Sequence, residues 1–350
     1  MKVLCYSSFT FSYLDRARVL FRTLRRFHPD WELVALITDE PPEGFAFDPA
    51  AEPFDRAVFA KALGIADFRA WLFKHDVVEA CTAVKGPFLL QALTGSGAEA
   101  VIYLDPDTAL FESLAPLERW LETDEILLTP HLIDANDDPT AILDNDLSAS
   151  RTGIFNLGFV AVRASGEGLR FARWWNDRLL AYCYDEMERG LFVDQRWCDH
   201  VPALFDKVKV VRDPGYNVAS WNLSRRTVAV GRDGRITVNG APLRFWHFTK
   251  LGPLGDAMTK RYAGANPAVY EIWSWYRRQV TAAGDPAIPA RYWAYGTFDD
   301  GAPIDRAQRL LYRGRQDLQA AFPDPFATGA GTFWAWLAEE GRQALGRGAP

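Results

Sequence analysis

VLCYSSFTFSYLDRARVLFRTLRRFHPDWELVALITD, residues 3–39, changes its hydrophobic period twice. Val3 to Tyr6 suits a short strand. In LDRARVLFRTLRRF, Leu14, Ala17, Leu20 or Phe21, Leu24 and Phe27 fall on one helical stripe with arginines opposite. His28-Pro29 ends that helix, and ELVALI (32–37) reads as a second strand closing on Thr38-Asp39. Strand, helix, strand makes a βαβ unit with the usual right-handed crossover, which predicts a parallel sheet and an α/β fold.

A Pro-rich loop (PPEGFAFDPAAEP) follows, then helical periodicity from about 67 to 93 that stops at Gly95-Ser96-Gly97. Next comes VIYLDPDTALF (101–111), four strand-like apolar residues running into Asp105, Pro106 and Asp107. In open α/β sheets ligands sit beyond the carboxyl ends of strands, which is where this acidic pair falls. Beyond it we expect a helix near 114–122, strand EILLT (125–129), an acidic loop over 134–148, strand IFNLGFVAVR (154–163) and a helix over 167–184. A helix near 194–204, strand VKVV (208–211), and a hairpin of TVAVG and RITVN joined by Arg232-Asp233-Gly234 come next. LRFWHF (243–248) is expected to be the last strand of the core. From about 255 the texture turns to Trp- and Tyr-rich helical segments, YEIWSWYRRQV, ARYWAYGTFDD, IDRAQRLLYRGRQDLQ and TFWAWLAEEGRQAL, read as a C-terminal helical extension (255–350) whose rings mainly pack.

The bulk numbers exclude some partners. Of 350 residues 49% are hydrophobic and 24% charged, an ordinary soluble composition, and the formal net charge of -6 comes without a basic stripe. A nucleic-acid binder needs such a stripe to displace counterions, so nucleic acid is not an expected partner. Cys5, Cys81, Cys183 and Cys198 form no CxxC pair, which points away from zinc or a disulfide framework and toward reduced thiols. The polar residues in MKVLCYSSFTFSYLDRARVL break the apolar run of a signal peptide, and no stretch approaches the roughly 20 apolar residues of a membrane span. A cytoplasmic protein is expected, with peripheral contact at the inner face of the membrane left open.

Between positions 103 and 150 there are twelve Asp or Glu residues against one basic residue, Arg119. A divalent cation would relieve that field, since Mg²⁺ and Mn²⁺ take carboxylates together with a substrate's phosphates. Asp-Pro-Asp is also a turn that caps a helix for independent reasons. A third reading is a haloacid-dehalogenase-type phosphohydrolase, which ends a strand in two Asp residues separated by one. There a Thr or Val follows two places after the second Asp; here that place holds Ala109, and a βαβ unit precedes the pair.

VIYLDPDTALF, FNLGFVAVR, FVDQRW and FWHFTKLGP occur in that order. The order resembles the GT-A nucleotide-sugar glycosyltransferases, most closely the retaining enzymes of glycosyltransferase family 8 and bacterial polysaccharide-type relatives. The resemblance covers residues 1 to about 255. It implies a Rossmann-like GT-A core with a mixed, mainly parallel sheet over 1–254. In that core the nucleotide-binding part is about 1–110 and the acceptor-side part about 111–254.

By the same resemblance Asp105, Asp107 and His247 hold Mn²⁺ or Mg²⁺ on the donor's diphosphate. Lys250 contacts that diphosphate, although it precedes Gly252 where the family's order is reversed. Asn156 and Gly158 border the sugar, and Asp194 with Gln195 lies beneath the anomeric carbon, stabilising a cationic centre with retention or supplying a base with inversion. Tyr6, Ser7, Ser8 and Asp39 lie where base and ribose bind. Glu79 and Lys85 resemble a Glu-x5-Lys segment of the bacterial relatives, with Lys85 facing the diphosphate or pairing with an acid; a solvated helical face explains both charges equally well. The implied donor is a nucleotide sugar, and the acceptor is a glycan, a lipid-linked glycan or another hydroxyl compound. A non-catalytic carbohydrate-binding protein on the same scaffold is a further reading.

Overall fold

In the computed structural model, which describes residues 1–341, the opening stretch folds as its pattern dictates. Strand β1 (Val3–Phe9) leads through helix α1 (Leu14–Phe27) to β2 (Glu32–Ile37), and the two strands pair in parallel. β1 runs three residues further than its apolar start because Ser7 and Ser8 stay in register with Ala35 and Leu36. β3 (Arg56–Phe59) extends the sheet on one side. Where one long helix was expected there are three, α2 (Phe68–Phe73), α3 (Val77–Ala83) and α4 (Lys85–Gly95). Asp76 ends the first run by capping α3, accepting from the amides of Val78 and Glu79.

The central sheet is completed by β4 (Ala100–Leu104), β6 (Ile126–Pro130), β7 (Phe155–Arg163) and the strand Val208–Val210, while β5 (Thr108–Leu110) stands apart from it. The strand order is Val208–Val210, β6, β7, β4, β1, β2, β3. Only β7 runs antiparallel to its neighbours, so the sheet is mixed and mainly parallel and the chain is an α/β protein. Because β7 is reversed, its first residues lie at the same sheet end as the last residues of β1, β2 and β4.

Alternate residues feed opposite faces. Leu4, Tyr6, Val101 and Tyr103 join one core, against α4 and the helix Gly166–Tyr182, while Val3, Cys5, Ile102 and Leu104 join the other, against α1. Both charged residues of the Glu79–Lys85 segment are buried rather than on a solvated helical face. Glu79 completes the cap of α3 and pairs with Arg313 from the C-terminal part.

Three expectations are corrected. LRFWHF gives only the strand Phe245–His247, which pairs with β5 in a separate two-stranded ribbon rather than closing the core sheet. The acidic stretch 134–148 is partly helical from Pro139, because Asp138 accepts from the amide of Ala141 and caps it. ARYWAYGTFDD is mostly irregular, with a single 3₁₀ turn at Ala294–Gly296. Of the remaining C-terminal segments, Pro267–Ala283 and Arg306–Gly314 are helices, and TFWAWLAEEGRQAL is described only as far as Gly341. Tyr295, Tyr312, Phe326 and Phe333 join the same core cluster as Tyr6 and Phe73. Among the described residues no helix is long and apolar enough to cross a membrane.

Candidate metal centre

Asp105 follows the last residue of β4, and its amide donates to the carbonyl of Gly158 at 2.9 Å. Its own carbonyl accepts from the amide (3.1 Å) and hydroxyl (2.8 Å) of Thr108, closing a turn around Pro106. That turn starts β5, whose antiparallel register sets Thr108 opposite His247. A histidine far along the chain is thereby delivered to the acids, with Nε2 3.2 Å from Asp107 Oδ1 and 3.6 Å from Asp105 Oδ2. One ligand atom from each of the three lies within 4.8 Å of the other two.

Gly158 makes room for this. A Cβ there would stand 2.5 Å from Cε1 of His247. The imidazole's far side is fixed by Asn217, which is wholly buried and has φ of 51°, a conformation asparagine tolerates better than most residues. Its Nδ2 donates to Asn156 Oδ1 (2.9 Å) and Thr129 Oγ1 (3.1 Å), so its Oδ1 is the atom that accepts from His247 Nδ1 at 3.2 Å. With Nδ1 carrying that hydrogen, Nε2 faces the carboxylates.

Charge is balanced around the acids. Lys85 Nζ lies 2.8 Å from Asp194 Oδ2 and 3.3 Å from Asp105 Oδ1, and donates to the carbonyl of Leu157 at 3.1 Å. Burial opposes the ammonium charge, but Asp105 and Asp194 outweigh it and raise Lys85 above its ordinary value. The Tyr103 hydroxyl donates to Asp105 Oδ1 at 2.5 Å, which leaves Oδ2 as the oxygen toward His247. Burial likewise opposes charge on Asp107 and on His247, yet each is driven toward its charged form by the other, the carboxyl lowered and the imidazole raised. Two carboxylates and an oriented imidazole fit a hard divalent cation such as Mn²⁺ or Mg²⁺.

A cavity of about 860 Å³ opens beside this group, lined among others by Asp105, Asp107, Lys85, Ser8, Val78 and Trp293. The structure therefore brings Lys85, Asp105, Asp107, Asp194 and His247 together, with Asn156 and Gly158 behind them. Asp194 does not cap the helix that follows: it makes no side-chain cap bond and gives its carboxylate to Lys85. Gln195 is buried beside it and donates to the carbonyl of Thr152 at 2.8 Å. Asn156 is buried in the network rather than turned to solvent.

Four expected residues lie elsewhere. Tyr6 is fully buried, its hydroxyl donating to the Lys85 carbonyl and its ring packed on Phe88 and Tyr103. Ser7 is buried in the sheet, whereas Ser8 lines the cavity. Asp39 accepts from the amides of Phe11 (3.1 Å), Glu40 (3.0 Å) and Ala294 (2.7 Å), and burial pushes its carboxyl up to about 7 against those three bonds. Lys250 is exposed on the loop after the ribbon, with φ of 56°, away from the cavity lining.

Sequence reasoning missed Tyr103, Asn217 and Trp293. Tyr103 looked like one more apolar residue of a strand, Asn217 sits in a loop (PGYNVAS) without a motif, and Trp293 was assigned to packing.

No family model matches the chain. Two proteins of Bacillus subtilis (strain 168) are similar in sequence. The uncharacterized protein YfnF is 30% identical over 179 residues, half of this chain and 57% of its own length. The uncharacterized protein YfnD is 31% identical over 174 residues, 49% of this chain and 53% of its own length. The chain thus spans about half the length of the curated relatives it matches. Among solved structures, the galactosyltransferase LgtC in complex with donor and acceptor sugar analogues is similar at 13% identity and a TM-score of 0.44, over 82% of this chain and 97% of that one. The glycosyltransferase GlyE of Streptococcus pneumoniae TIGR4 is similar at 13% identity and a TM-score of 0.40, over 85% of this chain and 66% of that one.

Proposed function

We propose that this chain is a metal-dependent glycosyltransferase of the GT-A class, akin to glycosyltransferase family 8. It would move a sugar from a nucleoside-diphosphate donor to a hydroxyl of a glycan or lipid-linked acceptor, with retention. The observation that carries the proposal is one arrangement: Asp105 and Asp107, with His247 beside them, line a large cavity together with Lys85. A volume of about 860 Å³ lies in the range of small-molecule sites and admits a nucleotide sugar.

Asp105, Asp107 and His247 would hold Mn²⁺ or Mg²⁺, which when bound stabilises the negative charge that develops on a departing diphosphate. Lys85, already pointed at Asp105, supplies a second positive charge on that side, a role we give to it rather than to the exposed Lys250. Asp194 is buried and held by Lys85, and we give it the part of the carboxylate near the reacting sugar carbon, with retention. Ser8 adds a polar group to the cavity lining, while we give Asn156 and Gln195, buried in the surrounding network, a supporting part in the donor site. We assign residues 1–254 to the transferase core and 255–350 to an extension, and place the enzyme in the cytoplasm.

The test is a thermal-shift panel of UDP, dTDP, GDP and CMP, each with and without Mn²⁺, since a ligand that binds only the native state raises its apparent stability. One diphosphate is expected to stabilise the protein only with metal, and Asp107→Ala to abolish that shift. Equal shifts in wild type and mutant would remove the metal from the reading.

A further inference from the structure

We infer that the segment Arg291–Thr297 is the wall of the cavity that reads the donor's nucleobase, with the base stacked on Trp293. The inference rests on the proposed donor site and goes beyond it, since it gives part of the C-terminal region a direct place in substrate recognition.

The observations concern how the segment is fastened and what it faces. Trp293 donates its indole N–H to the carbonyl of Thr38 at 3.0 Å, and the guanidinium of Arg309 stands 4.9 Å from its ring centroid. The next residue gives its amide to Asp39 at 2.7 Å, and the hydroxyl of Tyr295 donates to Glu40 at 2.9 Å. Thr38, Asp39 and Glu40, the residues at and beyond the end of β2, are thus used to clamp a distant stretch of chain. A ring held through its N–H, with a cation over it, has its orientation fixed before any ligand arrives.

The lining groups are of two unlike kinds. Asp105, Asp107 and Lys85 suit a metal-bound diphosphate, whereas Trp293, Tyr292, Tyr13, Val77 and Val78 present flat or apolar surface. Val78 is 60% exposed and Tyr13 42% exposed, so on this side of the cavity they offer apolar area for a ligand to cover. A planar heterocycle attached to that diphosphate through a ribose is such a cover, and the hydroxyls of Ser8, Thr10 and Ser12 are available to the ribose.

Isothermal titration with UDP, dTDP, GDP and CMP, with and without Mn²⁺, identifies the ligand that wild type binds best. That ligand is then titrated into Trp293→Ala, Trp293→Phe, Val78→Asp and Asp107→Ala. In the presence of Mn²⁺, Trp293→Ala and Val78→Asp are expected to weaken it on the order of 10-fold or more. Trp293→Phe keeps binding within about 3-fold, because a ring remains to stack on, but removes the ligand-induced quench of tryptophan fluorescence that Trp293 contributes. Val78 is exposed, so its variant retains the core and decides the matter even where Trp293→Ala does not fold.

If Asp107→Ala loses metal-dependent binding while Trp293→Ala and Val78→Asp bind like wild type, the base lies elsewhere and only this inference falls. If Trp293→Ala weakens UDP-glucose but not UDP, the ring stacks on the sugar and the inference falls as well. If wild type binds none of the nucleotides, the transferase reading and this inference fall together.

Discussion

Gly158 and His247 occupy adjoining space: a Cβ on residue 158 would stand 2.5 Å from Cε1 of the imidazole and 2.7 Å from Nδ1. Both groups sit within packed, buried structure, so neither side can yield cheaply. Gly158→Ala is expected to displace the ring, costing about 1–3 kcal/mol of stability by overpacking. Metal-dependent nucleotide binding should be lost while the fold survives, read by circular dichroism and by thermal shift with UDP and Mn²⁺. A variant that binds as wild type does would show that His247 is not needed where it stands.

Asn217 touches no ligand atom, yet its Oδ1 orients the imidazole and its Nδ2 ties Asn156 and Thr129 to the same point. Partners that orient a metal-binding histidine typically change affinity by roughly 10–100-fold when removed. Asn217→Ala should therefore weaken Mn²⁺ binding by about that factor in electron paramagnetic resonance titrations of the protein without nucleotide. Unchanged Mn²⁺ affinity in a folded variant would contradict the orienting role.

Lys85 neutralises two acids from distant parts of the chain, Asp105 after β4 and Asp194 before the helix Gln195–Cys198. Removing one partner of a buried ion pair leaves an uncompensated charge, at about 3–5 kcal/mol. Lys85→Met should lower urea stability by an amount of that order, and adding Asp194→Asn should restore part of it. A double variant no more stable than Lys85→Met alone would mean that the two side chains are not coupled.

Asp39 gives a pH dependence with a defined sign. Its carboxyl titrates at about 7 in the folded protein against an ordinary 3.8, because burial outweighs three amide donors. Between those values the native state holds a proton that the unfolded chain has released, so the contribution to stability is greatest below pH 4 and is lost as the pH rises to about 7. Relative to Asp39→Asn, wild type should lose at most about 4 kcal/mol across that window. Parallel stability–pH curves for the two proteins would refute it.

What was legible in the sequence is what depends on local pattern. The boundaries of α1 and β2 follow from periodicity and from His28-Pro29, and the carboxylates were found because a strand running into Asp-Pro-Asp can be read without its surroundings. Expectations failed where a distant segment decides. Asp39 looked like a ligand group at a strand end, but a backbone amide 255 residues away claims it. Tyr6 lost its expected role to strand alternation, which turns it into the core, and the charges of Glu79 and Lys85 gave no sign that Arg313 and Asp194 would bury them. Asn217 has no local signature because its function is set by a left-handed backbone and partners on two other strands.

The ribbon in which Thr108 faces His247 also constrains how this chain can vary in length. Side chains on a strand alternate, so one residue inserted between Phe245 and His247 would turn the imidazole away and offer Trp246 or Phe248 to the acids instead. The turn at Arg232-Asp233-Gly234 has no such coupling, since it lies in a separate small sheet. Homologues should therefore differ freely in the length of that hairpin while keeping the spacing of the short ribbon, and an engineered tag or fused domain belongs at the former.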